Sequence, residues 1–77
     1  MDMIDERALR GTGSKATVIF EYIKDFIAVN QYPPTRRDIQ NGCEISSVSI
    51  VSYHLYKLEK RGLIQIVEGV ARGIRIL

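Results

Sequence analysis

Few side chains in this sequence are equipped for covalent or acid–base chemistry. His54 is the single histidine and Cys43 the single cysteine. His54 sits beside Leu55 in a helix-patterned stretch, and no carboxylate or cysteine stands at a spacing that would make it a base or nucleophile. It is expected to point partly into the core as a structural residue. Cys43 can form no intramolecular disulfide, and no paired-cysteine spacing exists to hold zinc, so a small buried hydrophobe is expected rather than a redox sensor. The sequence therefore predicts no catalytic residue, no metal site, no cofactor and no enzyme. Hydroxyls, phenols and cations are instead gathered in one short stretch: Ser49, Ser52, Tyr53, Tyr56, Lys57 and Lys60. Such groups donate and accept hydrogen bonds and attract anions, which is the chemistry of non-covalent recognition.

A chain of 77 residues, 45% of them hydrophobic, supports one core, and an enclosed substrate pocket would compete with that core for the same apolar residues. The formal charge of +2 is unremarkable. Its distribution is more informative, because Lys57, Lys60, Arg61, Arg72 and Arg75 crowd the C-terminal third against only Glu59 and Glu68. A solvated charged face is one explanation and a surface for an anionic partner is the other. The lone cysteine suits a reducing cytoplasm. Apolar stretches are too short for a signal-peptide core or a membrane span, so neither a membrane nor a small-molecule substrate is expected as a partner.

The elements follow from periodicity. Residues 1–13 lack a hydrophobic repeat and carry Gly11 and Gly13, which predicts a flexible tail. From Ser14, apolar residues recur as Val18, Ile19, Tyr22, Ile23, Phe26 and Ile27, one face of a helix that Asn30 and the prolines at 33 and 34 terminate. Thr35 is a helix N-cap with Asp38 completing a capping box, and Ile39 anchors that short helix inward. After Gly42, Cys43 and Glu44, the serines at 46 and 47 offer a new N-cap. The third helix is predicted from Val48 to Arg61, burying Val51, Leu55 and Leu58, with Gly62 at its C-terminal stop. Leu63–Val67 and Ile74–Leu77 read as two strands around a loop bracketed by Gly69 and Gly73. The fold class is mainly α with a small β-hairpin: a three-helix winged helix-turn-helix over residues 14–77.

Two helices joined by a tight turn, the second polar on its outward face, suit the major groove of duplex DNA, which admits one helix. Ser49 and Ser52 are small enough to approach base edges. Ile50 and Tyr53 can touch thymine methyls, and Tyr53 and Tyr56 can donate to phosphates. Thr35 and Arg36 offer helix N-terminal amides and a cation for a phosphate, Lys57 and Lys60 add positive charge, and Arg72 in the hairpin loop is placed to meet a phosphate or a minor groove. A generic three-helix domain with a solvated tyrosine-bearing face, or a protein-docking patch of Ile50, Tyr53 and Tyr56, fits the same pattern.

Tyr32-Pro33-Pro34-Thr35-Arg36-Arg37-Asp38-Ile39, Ser46-Ser47, His54-Leu55, Leu58-Glu59-Lys60-Arg61-Gly62-Leu63-Ile64 and Arg72-Gly73-Ile74-Arg75-Ile76-Leu77 together resemble the N-terminal DNA-binding domain of LexA repressors. They occur in that family's order, without gaps from Pro33 onward, and the resemblance extends from about Ser14 to the last residue. It implies a winged helix that binds a palindromic operator in double-stranded DNA as a homodimer. It also implies that Ser47, Ser49, Ile50, Ser52 and Tyr53 occupy the base-reading positions. Positions 49, 52 and 53 depart from the better-known motif, which has Asn and two acids there, so the operator does not carry over. Glu44 stands where the family commonly has glycine, and a left-handed non-glycine residue costs about 1 kcal/mol. The family continues into a linker and a self-cleaving domain with a serine–lysine pair. The present sequence stops at the second wing strand, which leaves an excised domain, a piece of the latent protease, and a stand-alone regulator or interaction module from a mobile element as readings.

Overall fold

Hydrophobic periodicity becomes geometry in a computed structural model that describes residues 14–77. The predicted tail at 1–13 lies outside the described residues. Helix α1 (Ser14–Asn30) is followed by α2 (Arg36–Gly42), α3 (Val48–Lys60), and strands β1 (Ile64–Ile66) and β2 (Ile74–Ile76). The order is that of a winged helix-turn-helix, mainly helical with one antiparallel hairpin.

The core is built from one stripe of each element. Ala16, Ile19 and Ile23 of α1, Ile39 of α2, Ile45 of the turn, Val51, Leu55 and Leu58 of α3, and Ile64 and Ile74 of the hairpin are all buried. Each of the Val, Leu and Ile side chains contributes about 1.5–3 kcal/mol through burial. Helices α1 and α2 both pack on α3, and α3 packs on β1, so three of the four other elements hold the third helix directly. One expectation for α1 is corrected. Val18 is half exposed, while Phe20 packs at the edge of the core. Ala16, Ile19 and Ile23 define a stripe stepping by three and four residues, and Val18 lies beside it rather than on it.

The ends of the helices are closed by specific bonds. At the end of α1, Gln31 turns left-handed (φ 71°) and its amide donates to the Ile27 carbonyl at 2.8 Å. The Asn30 and Gln31 side chains cap further carbonyls at Phe26 and Ala28. The capping box of α2 forms as predicted: the Thr35 hydroxyl accepts from the Asp38 amide, and the Asp38 carboxylate accepts from the Thr35 amide, both at 3.0 Å. Helix α3 stops in a Schellman arrangement. Leu63 N–H donates to the Leu58 carbonyl and Gly62 N–H to that of Glu59, with Gly62 at φ 78°, a conformation that glycine adopts without penalty.

The wing pairs Ile64 with Ile76, Gln65 with Arg75 and Ile66 with Ile74. Its strands are shorter than the predicted Leu63–Val67 and Ile74–Leu77. Hydrogen bonds from Leu77 N–H to the Leu63 carbonyl and from Val67 N–H to the Gly73 carbonyl nevertheless reach the predicted limits. Ile64 and Ile74 turn inward and Gln65 and Arg75 outward, the alternation that fixes which face of the hairpin meets the core. Among the described residues, no helix is long and apolar enough to cross a membrane.

Candidate nucleic-acid interface

The outward face of α3 is set by the inward one. Once Val51, Leu55 and Leu58 are buried, the 100° step per residue sends Ser49, Ile50, Tyr53, Tyr56, Lys57 and Lys60 to the surface, and all six are exposed. Ser52 is half-buried at the margin. Large apolar groups stand out on this face: Ile50 is 39% exposed, Tyr53 56% and Tyr56 55%. Ser47 is the N-cap of α3, and its hydroxyl accepts from the Ile50 amide at 3.3 Å. Its oxygen therefore orients the helix start, and because the hydroxyl accepts in that bond it keeps its own proton to donate.

Farther along the same face, cations lie over aromatic rings. Lys57 Nζ is 5.4 Å from the centroid of Tyr53, and Lys60 Nζ is 5.5 Å from that of Tyr56. Each pair holds a flexible ammonium near a phenol by ring-quadrupole attraction of about 0.5–1 kcal/mol at an exposed site. With Arg61 they line an open depression of about 350 Å³. The lining is largely the hydrocarbon of rings and side-chain stems, and it includes three cationic side chains and no acidic one, so an anionic oxygen can be met at its rim.

At the N-terminus of α2, the groups of Thr35 itself are already taken. Both the amide and the hydroxyl of Thr35 are engaged by Asp38, so Thr35 does not present a free amide to a phosphate. The carboxylate of Asp38 accepts one amide of this helix end, that of Thr35, and backbone bonding from Thr35, with help from Arg72, holds its pKa below the ordinary carboxylate value despite some desolvation. Arg36 is half-buried and its Nε is enclosed without a partner.

Arg72 is also more occupied than expected. Its Nη1 donates to the Pro33 carbonyl at 2.7 Å and to Asp38 Oδ2 at 3.2 Å. Its guanidinium also lies 4.6 Å from the centre of the Tyr32 ring. The hairpin loop is thereby tied to the segment entering α2. Tyr32 in turn meets Phe26 edge-on at 5.8 Å, and Phe26 meets Tyr22 at 5.9 Å, so an aromatic row leads from α1 to the wing. The guanidinium has only part of its donor set left for a nucleic acid.

His54 is half-buried, as expected from its position beside the core stripe. Its Nδ1 is enclosed without a hydrogen-bond partner, and its ring meets Tyr53 edge-on at 5.2 Å. Burial, reinforced by Lys15 and Lys57, pushes its pKa below 6.5 and favours the neutral ring. Cys43 lies against the core at the C-terminal end of α2, where burial raises the thiol pKa despite a lowering influence from Lys15. A thiol held protonated is a poor nucleophile.

Sequence reasoning passed over three positioning groups. Tyr22 donates from its hydroxyl to the Asp38 carbonyl at 3.2 Å, fixing α1 against α2. Gly42 lies so close to that ring that an added Cβ would overlap it. Glu59 Oε2 accepts from the Ile66 amide at 3.0 Å, joining α3 to β1. None had a local signal, because each bond joins separate elements. The separation of 16 residues between Tyr22 and Asp38 shows why helical spacing alone does not reveal it.

Comparison with known proteins agrees with this geometry. Residues 12–73 match the family model of the LexA DNA binding domain. A LexA repressor of Herpetosiphon aurantiacus is 39% identical over 69 residues, covering 90% of this chain and 32% of that protein. One of Roseiflexus sp. (strain RS-1) is 47% identical over 58 residues, covering 75% and 27%. One of Clostridium novyi (strain NT) is 44% identical over 68 residues, covering 88% and 33%. The chain thus spans a third or less of the length of these relatives. With its helix-turn-helix, its wing and a family match over most of its residues, the chain belongs to the LexA DNA-binding domain family.

Proposed function

We propose that this domain binds double-stranded DNA sequence-specifically as the operator-binding part of a LexA-like repressor, with α3 lying in the major groove. The observation that carries the reading is the outward face of α3, where small hydroxyls and exposed apolar groups precede two lysines. Ser47, Ser49, Ile50, Ser52 and Tyr53 face base edges in this docking. Tyr56, Lys57 and Lys60 meet the backbone beside them, and Arg36 adds a cation from α2. Arg72 acts mainly by holding the wing, with its exposed edge toward the backbone. Two copies on a palindrome place one such helix in each half-site.

Salt dependence tests the reading. If each protomer neutralises three or four phosphates, log affinity against log salt should fall with a slope of roughly −5 to −7 for a bound pair. Binding that ignores salt between low and physiological concentration would contradict it.

A protein-docking role has one observation in its favour, the exposure of Ile50, Tyr53 and Tyr56 on a single face. The lysines beside the Tyr53 and Tyr56 rings would have to be buried in an apolar protein interface, whereas on DNA they can meet phosphates while the tyrosines meet bases.

A further inference from the structure

The base-reading stretch of α3 is unusual in what it lacks. In the major groove, guanine is read by the paired donors of Arg or by Lys, adenine by the amide of Asn or Gln, and cytosine by an accepting carboxylate. Between Ser47 and Tyr53 there is no residue of any of these types. The seven positions are Ser47, Val48, Ser49, Ile50, Val51, Ser52 and Tyr53, of which Val51 is buried. Serine hydroxyls donate or accept with equal ease and so discriminate poorly among bases. The exposed groups with a strong preference are Ile50, at 39% exposure, and Tyr53, at 56%. Both present hydrocarbon, and the hydrocarbon that a major groove offers is the C5-methyl of thymine.

The lysines of α3 do not supply the missing code. Lys57 is held over the Tyr53 ring and Lys60 over that of Tyr56, one and two turns farther along the helix. They line the open depression with Arg61, a place for phosphate oxygens. Glu59, the one acid of α3, is tied to the Ile66 amide.

We propose that α3 reads C5-methyl groups through Ile50 and Tyr53, so that thymine and 5-methylcytosine are recognised alike at the contacted positions of its operator. This rests on the major-groove docking proposed above. It makes the domain's affinity responsive to cytosine methylation, since 5-methylcytosine places its methyl where thymine does while keeping the cytosine hydrogen-bonding pattern.

The test uses the full chain and a duplex selected from a random pool. Each thymine of the half-site is replaced in turn by deoxyuridine, which removes the methyl and preserves pairing. At the contacted positions affinity is expected to fall about three- to fivefold, the value for one buried carbon group. At those same positions a C·G pair should bind more weakly than T·A, and a 5-methylcytosine·G pair should regain about three- to fivefold over C·G. In Ile50→Ala or Tyr53→Ala, the penalty for at least one uracil should vanish. Uracil substitution within twofold of the parent at every position would overturn the methyl reading while leaving DNA binding intact. Equal uracil penalties on the selected duplex and on unrelated duplexes would also overturn it, by assigning the effect to duplex deformation. Failure to select any duplex would instead remove the docking on which the proposal stands.

Discussion

Arg72 shows how one residue can brace a candidate surface while keeping only part of its donor set free. From sequence it is a wing cation, but its Nη1 is within hydrogen-bonding distance of Pro33 and Asp38, 39 and 34 residues away. No pattern of spacing could have disclosed partners at that separation. Arg72 and Asp38 are both partly exposed, so their ion pair alone is worth little. The carbonyl bond and the stacking on Tyr32 add to it, and the total is about 1 kcal/mol. Arg72→Ala is accordingly expected to lower the melting temperature by about 4–8 °C. Arg72→Lys, which keeps the charge but not the planar fork, should recover less than half of that loss by thermal circular dichroism. Full recovery with lysine would show that the charge and not the bridge matters. His54 sets a pH dependence. Its lowered pKa means that the unfolded chain binds a proton before the folded one does. Stability is therefore complete above about pH 6.5 and declines as pH falls below that value. Urea midpoints at pH 8 and pH 5.5 should differ in that direction, and His54→Asn should reduce the difference.

At the scale of elements, the helices were legible because their cores repeat at helical spacing and their caps are local. Thr35 with Asp38, Ser47 and Gly62 occupy the capping positions read from sequence. Strand limits were less legible, since Leu63 serves the helix stop as well as the hairpin. In the turn between α2 and α3, where the resemblance places glycine more commonly, Glu44 is left-handed at φ 56°. The residue is exposed, and among the described residues its side chain makes no hydrogen bond that offsets this conformation. Glu44→Gly should relieve about 1–2 kcal/mol of backbone strain. Greater freedom of the unfolded chain takes back about 0.4–1 kcal/mol. The net expectation is a rise of a few degrees in melting temperature at constant DNA affinity. A fall would mean that the turn depends on Glu44.

Across the whole molecule, the candidate site was more legible than the scaffold beneath it. The exposed face of α3 follows from projecting a single helix, whereas Tyr22, Arg72 and Glu59 act between elements that only folding brings together. Every element packs directly or indirectly on α3, so the buried side of that helix is a stability determinant and its outer side carries little of the packing. This division lets side chains at 49, 52 and 53 depart from the better-known motif while the fold persists. It also means that truncations on the outer face should alter recognition without unfolding the domain. The most direct measurement is therefore a comparison of wild type and Tyr53→Ala on a selected duplex and on a random duplex of equal length at one salt concentration, with circular dichroism confirming the fold. The account predicts a loss of about 1–3 kcal/mol on the selected duplex and a much smaller one on the random duplex. Equal losses on both, or none on either, would contradict the claim that this face of α3 reads sequence.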